Sequence, residues 1–150
     1  MLPESTAGNV RFTMQQIERE LHASEPLFKI AELGSLDHIQ ALAGAAVIHA
    51  VYTGMESIFS ALCKELGGYV PDTEQWHRSL LDTLSSGTSF PAILDQELAT
   101  VLKDYLAFRH RFRHAYTMNL DARLISEKIL ALPAVWNQVK TCINRILPQD

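Results

Sequence analysis

The chain has 150 residues, of which 47% are apolar and 20% charged, with 13 Lys and Arg against 17 Asp and Glu for a formal net charge of −4. A length of this order suits one domain spanning residues 1–150, large enough to bury a full core without disulfides or metals. The apolar content excludes a disordered tail, and the acidic balance argues against binding nucleic acid over a broad basic surface.

In chain order, Val10, Met14, Ile17 and Leu21 recur at three- and four-residue steps, the pattern of an amphipathic helix. Asn9 is its candidate cap. Pro26 is read as an interruption, with Leu27, Ile30 and Leu33 forming a short further turn before Gly34. A long second helix follows, with Ser35 as candidate cap and Gly67-Gly68 as the stop. Its apolar residues crowd most of its circumference, as in a central buried helix. One polar stripe remains there: His49, Tyr52 and Thr53, Glu56, Ser60. Its most apolar stretch, Ala41 to Ile48, is far too short to span a membrane.

A shorter helix is expected from about Glu74 to Leu84, then a loop over Ser85-Ser86-Gly87-Thr88-Ser89. A further helix runs from Pro91 to about Thr117. The last runs from Asp121 to Leu147, kinked or broken at Pro133. No segment alternates with period two. The expected fold is therefore all-α, an up-and-down bundle of four or five helices. Cys63 and Cys142 form no Cys-x-x-Cys pair and read as buried thiols in a reducing compartment. The N-terminus lacks the basic and apolar regions of a signal peptide, so a cytoplasmic protein with no membrane partner is expected.

The helix after Pro91 carries the unusual residues. Its apolar stripe is Leu94, Leu98, Val101, Leu102, Tyr105, Phe108 and Phe112, and Arg109 falls on the same face. An arginine in a core stripe is costly unless it is paired or reaches a cleft. Glu56, on the polar stripe of the long helix, is a possible partner. His110 and His114 share another flank, and Arg113 lies at the margin. From Tyr105 to Met118 there are three arginines, two histidines and no acid; the rest of the chain carries −7. Such a focused positive site suits a phosphate group.

His and Arg together suit RNA phosphodiester cleavage without a metal. A histidine can take the 2′-OH proton or protonate the leaving oxygen. An arginine can hold the phosphate and stabilise the charge that builds in the transition state. No metal-ligand spacing and no Gly-rich phosphate loop is present, so neither a metal nor another cofactor is expected. A phosphotransfer bundle using His49, His110 or His114 would leave Arg109 unexplained.

The segment Phe108-Arg109-His110-Arg111-Phe112-Arg113-His114-Ala115-Tyr116 contains Arg-x4-His-x-Tyr. It resembles the signature of the HEPN superfamily, in particular the HepT-like toxins. Tyr52-Thr53-Gly54-Met55-Glu56-Ser57-Ile58-Phe59, Trp76-His77-Arg78-Ser79-Leu80-Leu81 and Leu132-Pro133-Ala134-Val135-Trp136 look like the same subfamily, so the resemblance covers about residues 10 to 147. The resemblance implies a helical bundle of HEPN type, commonly a homodimer with its motif near the dimer cleft. It implies a metal-independent endoribonuclease, the toxin of a toxin–antitoxin module. The partner would be an MntA-type minimal nucleotidyltransferase that silences it by AMPylation.

Carried over, Arg109 and His114 would be catalytic and Tyr116 the modified residue. Arg113, His110 and Glu56 are candidates for positioning phosphate or RNA. His114→Ala or Arg109→Ala is expected to abolish cleavage with the fold intact. The alternative is a non-catalytic module that presents Tyr116, or a bound nucleotide, to the nucleotidyltransferase. Arg109 and His114 are five residues apart, roughly 140° around a straight helix. Two copies meeting on a two-fold axis could supply Arg and His from different chains.

Overall fold

The computed structural model describes residues 2–68, 75–114 and 120–149, with the side chains of Arg113 and His114 outside the description. The helices are α1 (Glu4–Ala23), α2 (Glu25–Leu33), α3 (His38–Gly67), α4 (Trp76–Ser86), α5 (Gln96–His114) and α6 (Ala122–Asn144). No strand occurs among the described residues. The all-α bundle is as expected, with six helices among the described residues in place of four or five, because the short turn at Leu27–Leu33 belongs to a nine-residue helix.

Local chemistry explains the boundaries that shifted. α1 starts five residues ahead of Asn9, directly after Pro3, with Glu4 in its first turn. A fixed proline φ and an acid beside the free N–H groups both favour a helix start there. Pro26 likewise sits in the first turn of α2, where its missing N–H costs nothing. It opens a helix, and the chain turns at Ser24. The cap of α3 is Asp37: its carboxylate accepts from the Gln40 amide at 2.8 Å while the Gln40 side chain accepts from the Asp37 amide at 2.9 Å. That reciprocal pair satisfies two free donors at once and displaces Ser35 from the role. Gly68, at φ 78°, closes α3 in the left-handed region, where a residue without Cβ is favoured.

α4 runs through Ser86 to a second left-handed glycine, Gly87 at φ 70°. The chain beyond it is pinned, because the Ile93 and Leu94 amides both donate to the Leu84 carbonyl. The Asp95 side chain then accepts from the Leu98 amide at 2.7 Å and caps α5. Asp121 caps α6 through the amides of Arg123 and Leu124. Pro133 lies inside α6 without breaking it.

α3 is the axis of the bundle and touches each of the other five helices. Its buried residues include Ala41, Ala45, Ile48, Val51, Tyr52, Met55, Phe59 and Leu62. By length and composition alone it could cross a membrane, but 56% of its most apolar window is buried in the protein. Two glycines let neighbours approach it. A Cβ on Gly44 would lie 2.7 Å from Cγ2 of Ile125 in α6, and one on Gly54 would lie 2.8 Å from Cγ1 of Ile17 in α1. Cys63 and Cys142 are buried and unpaired, and burial pushes the Cys63 thiol up to about 11. Val101, expected on the buried stripe of α5, faces solvent at 38% exposure.

Gly44→Val should therefore lower stability by about 1–3 kcal/mol through overpacking against α6. A Cβ on Gly8, in α1, would meet nothing within 4 Å, so Gly8→Ala should raise stability by up to about 1 kcal/mol. Urea denaturation followed by helical circular dichroism checks both.

Candidate functional site

Leu98, Leu102 and Tyr105 lie on the buried face of α5, and Arg109 takes the next place in that heptad-like series. Its side chain is 4% exposed. Glu56 comes to meet it from the polar stripe of α3 and is itself buried. Arg109 Nη1 donates to Glu56 Oε1 at 3.1 Å and Nη2 donates to Oε2 at 3.0 Å. This is the paired, two-pronged geometry that a planar guanidinium is built for. Nη1 also donates to the Thr53 hydroxyl at 3.3 Å. The guanidinium carbon sits 4.9 Å from the centre of the Tyr52 ring, within range of a cation–π attraction.

Tyr52 is nearly inaccessible, and its hydroxyl has no hydrogen-bond partner among the described residues. Burial pushes its pKa up, the Glu56 carboxylate adds to that, and Arg109 opposes it. The phenol therefore stays neutral and serves as a wall of the site.

A third helix completes the cluster. His77, in the first turn of α4, places Nδ1 2.8 Å from Glu56 Oε2 and 3.2 Å from Arg109 Nη2. Glu56 accepts from Arg109 through both oxygens. A carboxylate at 2.8 Å requires a donor opposite it, so Nδ1 carries the proton and Nε2 is left as the basic nitrogen. The contact between Nη2 and Nδ1 is then a close approach of two donors that converge on one oxygen. The Trp76 and His77 rings lie 3.7 Å apart with 31° between their planes.

Glu56 also lines a surface groove of about 430 Å³, together with Thr53, Ser57, Ser60, Ala61, Lys64 and Trp76. The buried centre thus opens onto a face carrying hydroxyls, one lysine and an aromatic ring. A separate cavity of about 350 Å³ lies between α5 and α6, lined by Phe108, Arg111, Phe112, Leu120, Asp121, Leu124 and Ile125. Among the described residues no group of three or more His, Cys, Asp or Glu is placed to hold a metal ion.

Of the residues singled out in the sequence, the structure brings Arg109 and Glu56 into direct contact and puts His110 on the exposed flank of α5. Arg113 and His114 end α5 with side chains outside the description, and Tyr116 lies outside the described residues. His77 and Thr53 lie in segments that carry the family resemblance, and the sequence assigns neither a role. The signal for Thr53 was its place on the polar stripe of α3. Nothing local to His77 announces that it faces Glu56, because the two are 21 residues apart on different helices.

Burial of the pair changes one expectation. Arg109→Ala would leave the Glu56 carboxylate enclosed without its counter-charge, so this variant does not leave the fold untouched. Removing one partner of such a pair costs about 3–5 kcal/mol, whereas replacing both with apolar groups is often neutral. Glu56→Ala should lower stability by that amount, and the double variant Glu56→Leu with Arg109→Met should recover most of the loss. Urea denaturation of the three proteins checks this.

The model of the HepT-like protein family matches residues 43–148. No curated protein and no solved structure matches the chain. The matched span takes in α3 from its first turns, α4, α5 and nearly all that follows, and with them Glu56, His77, Arg109 and the Arg-x4-His-x-Tyr pattern. On that match, together with an all-helical bundle of HEPN type, the chain belongs to the HepT-like family.

Proposed function

We propose that the chain is the toxin of a two-component toxin–antitoxin module and acts in the cytoplasm as a metal-independent endoribonuclease. The observation that carries this reading is the HepT-like match over residues 43–148, within which Arg109, His114 and Tyr116 stand at the motif spacing. The local charge supports it: the stretch from Tyr105 to Met118 has three arginines and no acid in an otherwise acidic chain. In the proposed reaction the RNA 2′-oxygen attacks its own phosphorus. The bond to the 5′-oxygen breaks, leaving a 2′,3′-cyclic phosphate and a free 5′-hydroxyl. His114 serves as the proton-transfer group at one of the two oxygens. Arg111 and Arg113 supply positive charge at the end of α5, and a homodimer brings the motif of each copy to a shared cleft.

An MntA-type nucleotidyltransferase would silence the toxin by transferring AMP to Tyr116. A bulky anion placed two residues from His114 would exclude RNA and occupy the nearby arginines.

One observation favours a second reading. Both Nη atoms of Arg109 are engaged by Glu56, so the motif arginine has a structural task that needs no substrate. In that reading the protein cleaves nothing and presents Tyr116 to its nucleotidyltransferase.

His114→Ala separates the readings more cleanly than a change at Arg109, which disturbs the core. We expect wild-type protein to cleave RNA with cyclic phosphate ends and to arrest growth. His114→Ala should lose both while keeping its thermal midpoint. Tyr116→Phe should stay toxic in the presence of the nucleotidyltransferase, and mass analysis of the wild-type Tyr116 peptide should show added AMP. Purified wild-type protein that accepts AMP but cuts no RNA would establish the second reading.

A further inference from the structure

The reactive group that the buried ion pair presents to the surface is His77. Arg109 and Glu56 have side-chain exposures of 4% and 9%, while that of His77 is 29%. Arg109 is held by Glu56 and Thr53, and Glu56 by Arg109 and His77. Of the three, the imidazole has the most access to solvent. Its Nδ1–H is fixed on a carboxylate, and the hydrogen bonds of the ring among the described residues all run through Nδ1. That leaves Nε2 as an oriented base. A carboxylate holding the far side of a histidine sets the tautomer and stabilises the imidazolium that forms when the ring takes a proton. Arg109 in turn holds the Glu56 carboxylate in place, so the pair acts through His77.

We propose that His77 is a second proton-transfer residue of this centre, working on the phosphodiester of an RNA strand lying in the groove beside Trp76. The inference rests on the ribonuclease reading above. His77 Nε2 removes the proton of the attacking 2′-hydroxyl as the oxygen–phosphorus bond forms. The electron pair of the breaking bond passes to the 5′-oxygen, which is protonated by His114 as an imidazolium. His77 leaves protonated and His114 neutral, and exchange with water restores both. Trp76 lines the groove that Glu56 opens onto, and its ring offers a stacking surface for a base next to the cleaved bond. The Ser57 and Ser60 hydroxyls and Lys64 border the same groove.

The test compares wild type, His77→Gln and His77→Ala on one RNA substrate over a range of pH. Loss of a general base should lower kcat by about 10²–10⁴-fold. The acidic limb of the profile, which reports deprotonation of the base, should disappear from His77→Gln. Glutamine can still donate to Glu56, so this variant should keep the wild-type thermal midpoint. Added imidazole should restore part of the activity of His77→Ala, an effect that a purely structural histidine would not show. In wild type, the His77 ring resonances should move when an uncleavable 2′-deoxy oligonucleotide is added. Wild-type cleavage with an unaltered His77→Gln profile and no imidazole rescue would remove the role of His77 and leave the nuclease reading intact. No cleavage by the wild type would remove the nuclease reading and this role together.

Discussion

A guanidinium and a carboxylate are enclosed between α3 and α5, joined by two hydrogen bonds of about 3 Å. Neither charge would be tolerated there alone. Transfer of an isolated ion out of water costs far more than a domain of this size has to spare, so each residue is conditional on the other. The pair sets the register of α5 on α3: a slide of one residue would turn Arg109 toward solvent or apolar side chains and leave Glu56 bare. It also draws in α4, because the second lone pair of Glu56 Oε2 is filled by His77. Three helices meet at one carboxylate.

The rest of the bundle holds that meeting point still. α3 can carry a charged residue at its centre because most of its length is packed by five other helices. Gly44 and Gly54 bring α6 and α1 close against it. α5 is anchored at its start by Asp95 and along its length by Leu98, Leu102, Tyr105 and Phe108. Tyr105 adds a hydrogen bond from its hydroxyl to the Lys128 carbonyl of α6 at 2.7 Å. Lys103 reaches Asp82 of α4, a tie near the middle of α5. These contacts make the Arg109 end of α5 a fixed platform, as a site built on rigid elements requires.

The same geometry alters how a motif arginine is to be understood. Arg109 donates to Glu56 through both Nη atoms and is itself buried. Arg109 fixes the Glu56 carboxylate, and that carboxylate orients the His77 imidazole. The other arginines of the segment, Arg111 and Arg113, lie further round the helix. This division fits the charge pattern, since Glu56 neutralises Arg109 and the net positive charge of the segment rests on Arg111 and Arg113.

Much of the fold could be read from residue spacing. Helix periodicity located all the long elements, because a stripe repeating every three to four residues puts its apolar side chains on one face of a helix. The glycine stop at Gly67-Gly68 and the aspartate start at Asp121 were legible for the same local reason, whereas α4 runs two residues past the expected Leu84 to Gly87. Where caps competed, the outcome turned on geometry: Asp37 prevailed over Ser35 through its reciprocal bond with Gln40, and Pro3 opened α1 ahead of Asn9. The place of Arg109 on the apolar face, and Glu56 as its possible partner, also followed from the two helical stripes. What the linear order could not contain is the third member. His77 reaches Glu56 only because α4 crosses α3 at that level, and the tautomer that makes its Nε2 basic depends on the carboxylate beyond it. The sequence by itself therefore determined the helices, their buried faces and the motif. Tertiary structure alone decided that the motif arginine is an internal counter-charge and that a histidine from another helix stands in front of it, because those facts depend on distances between helices.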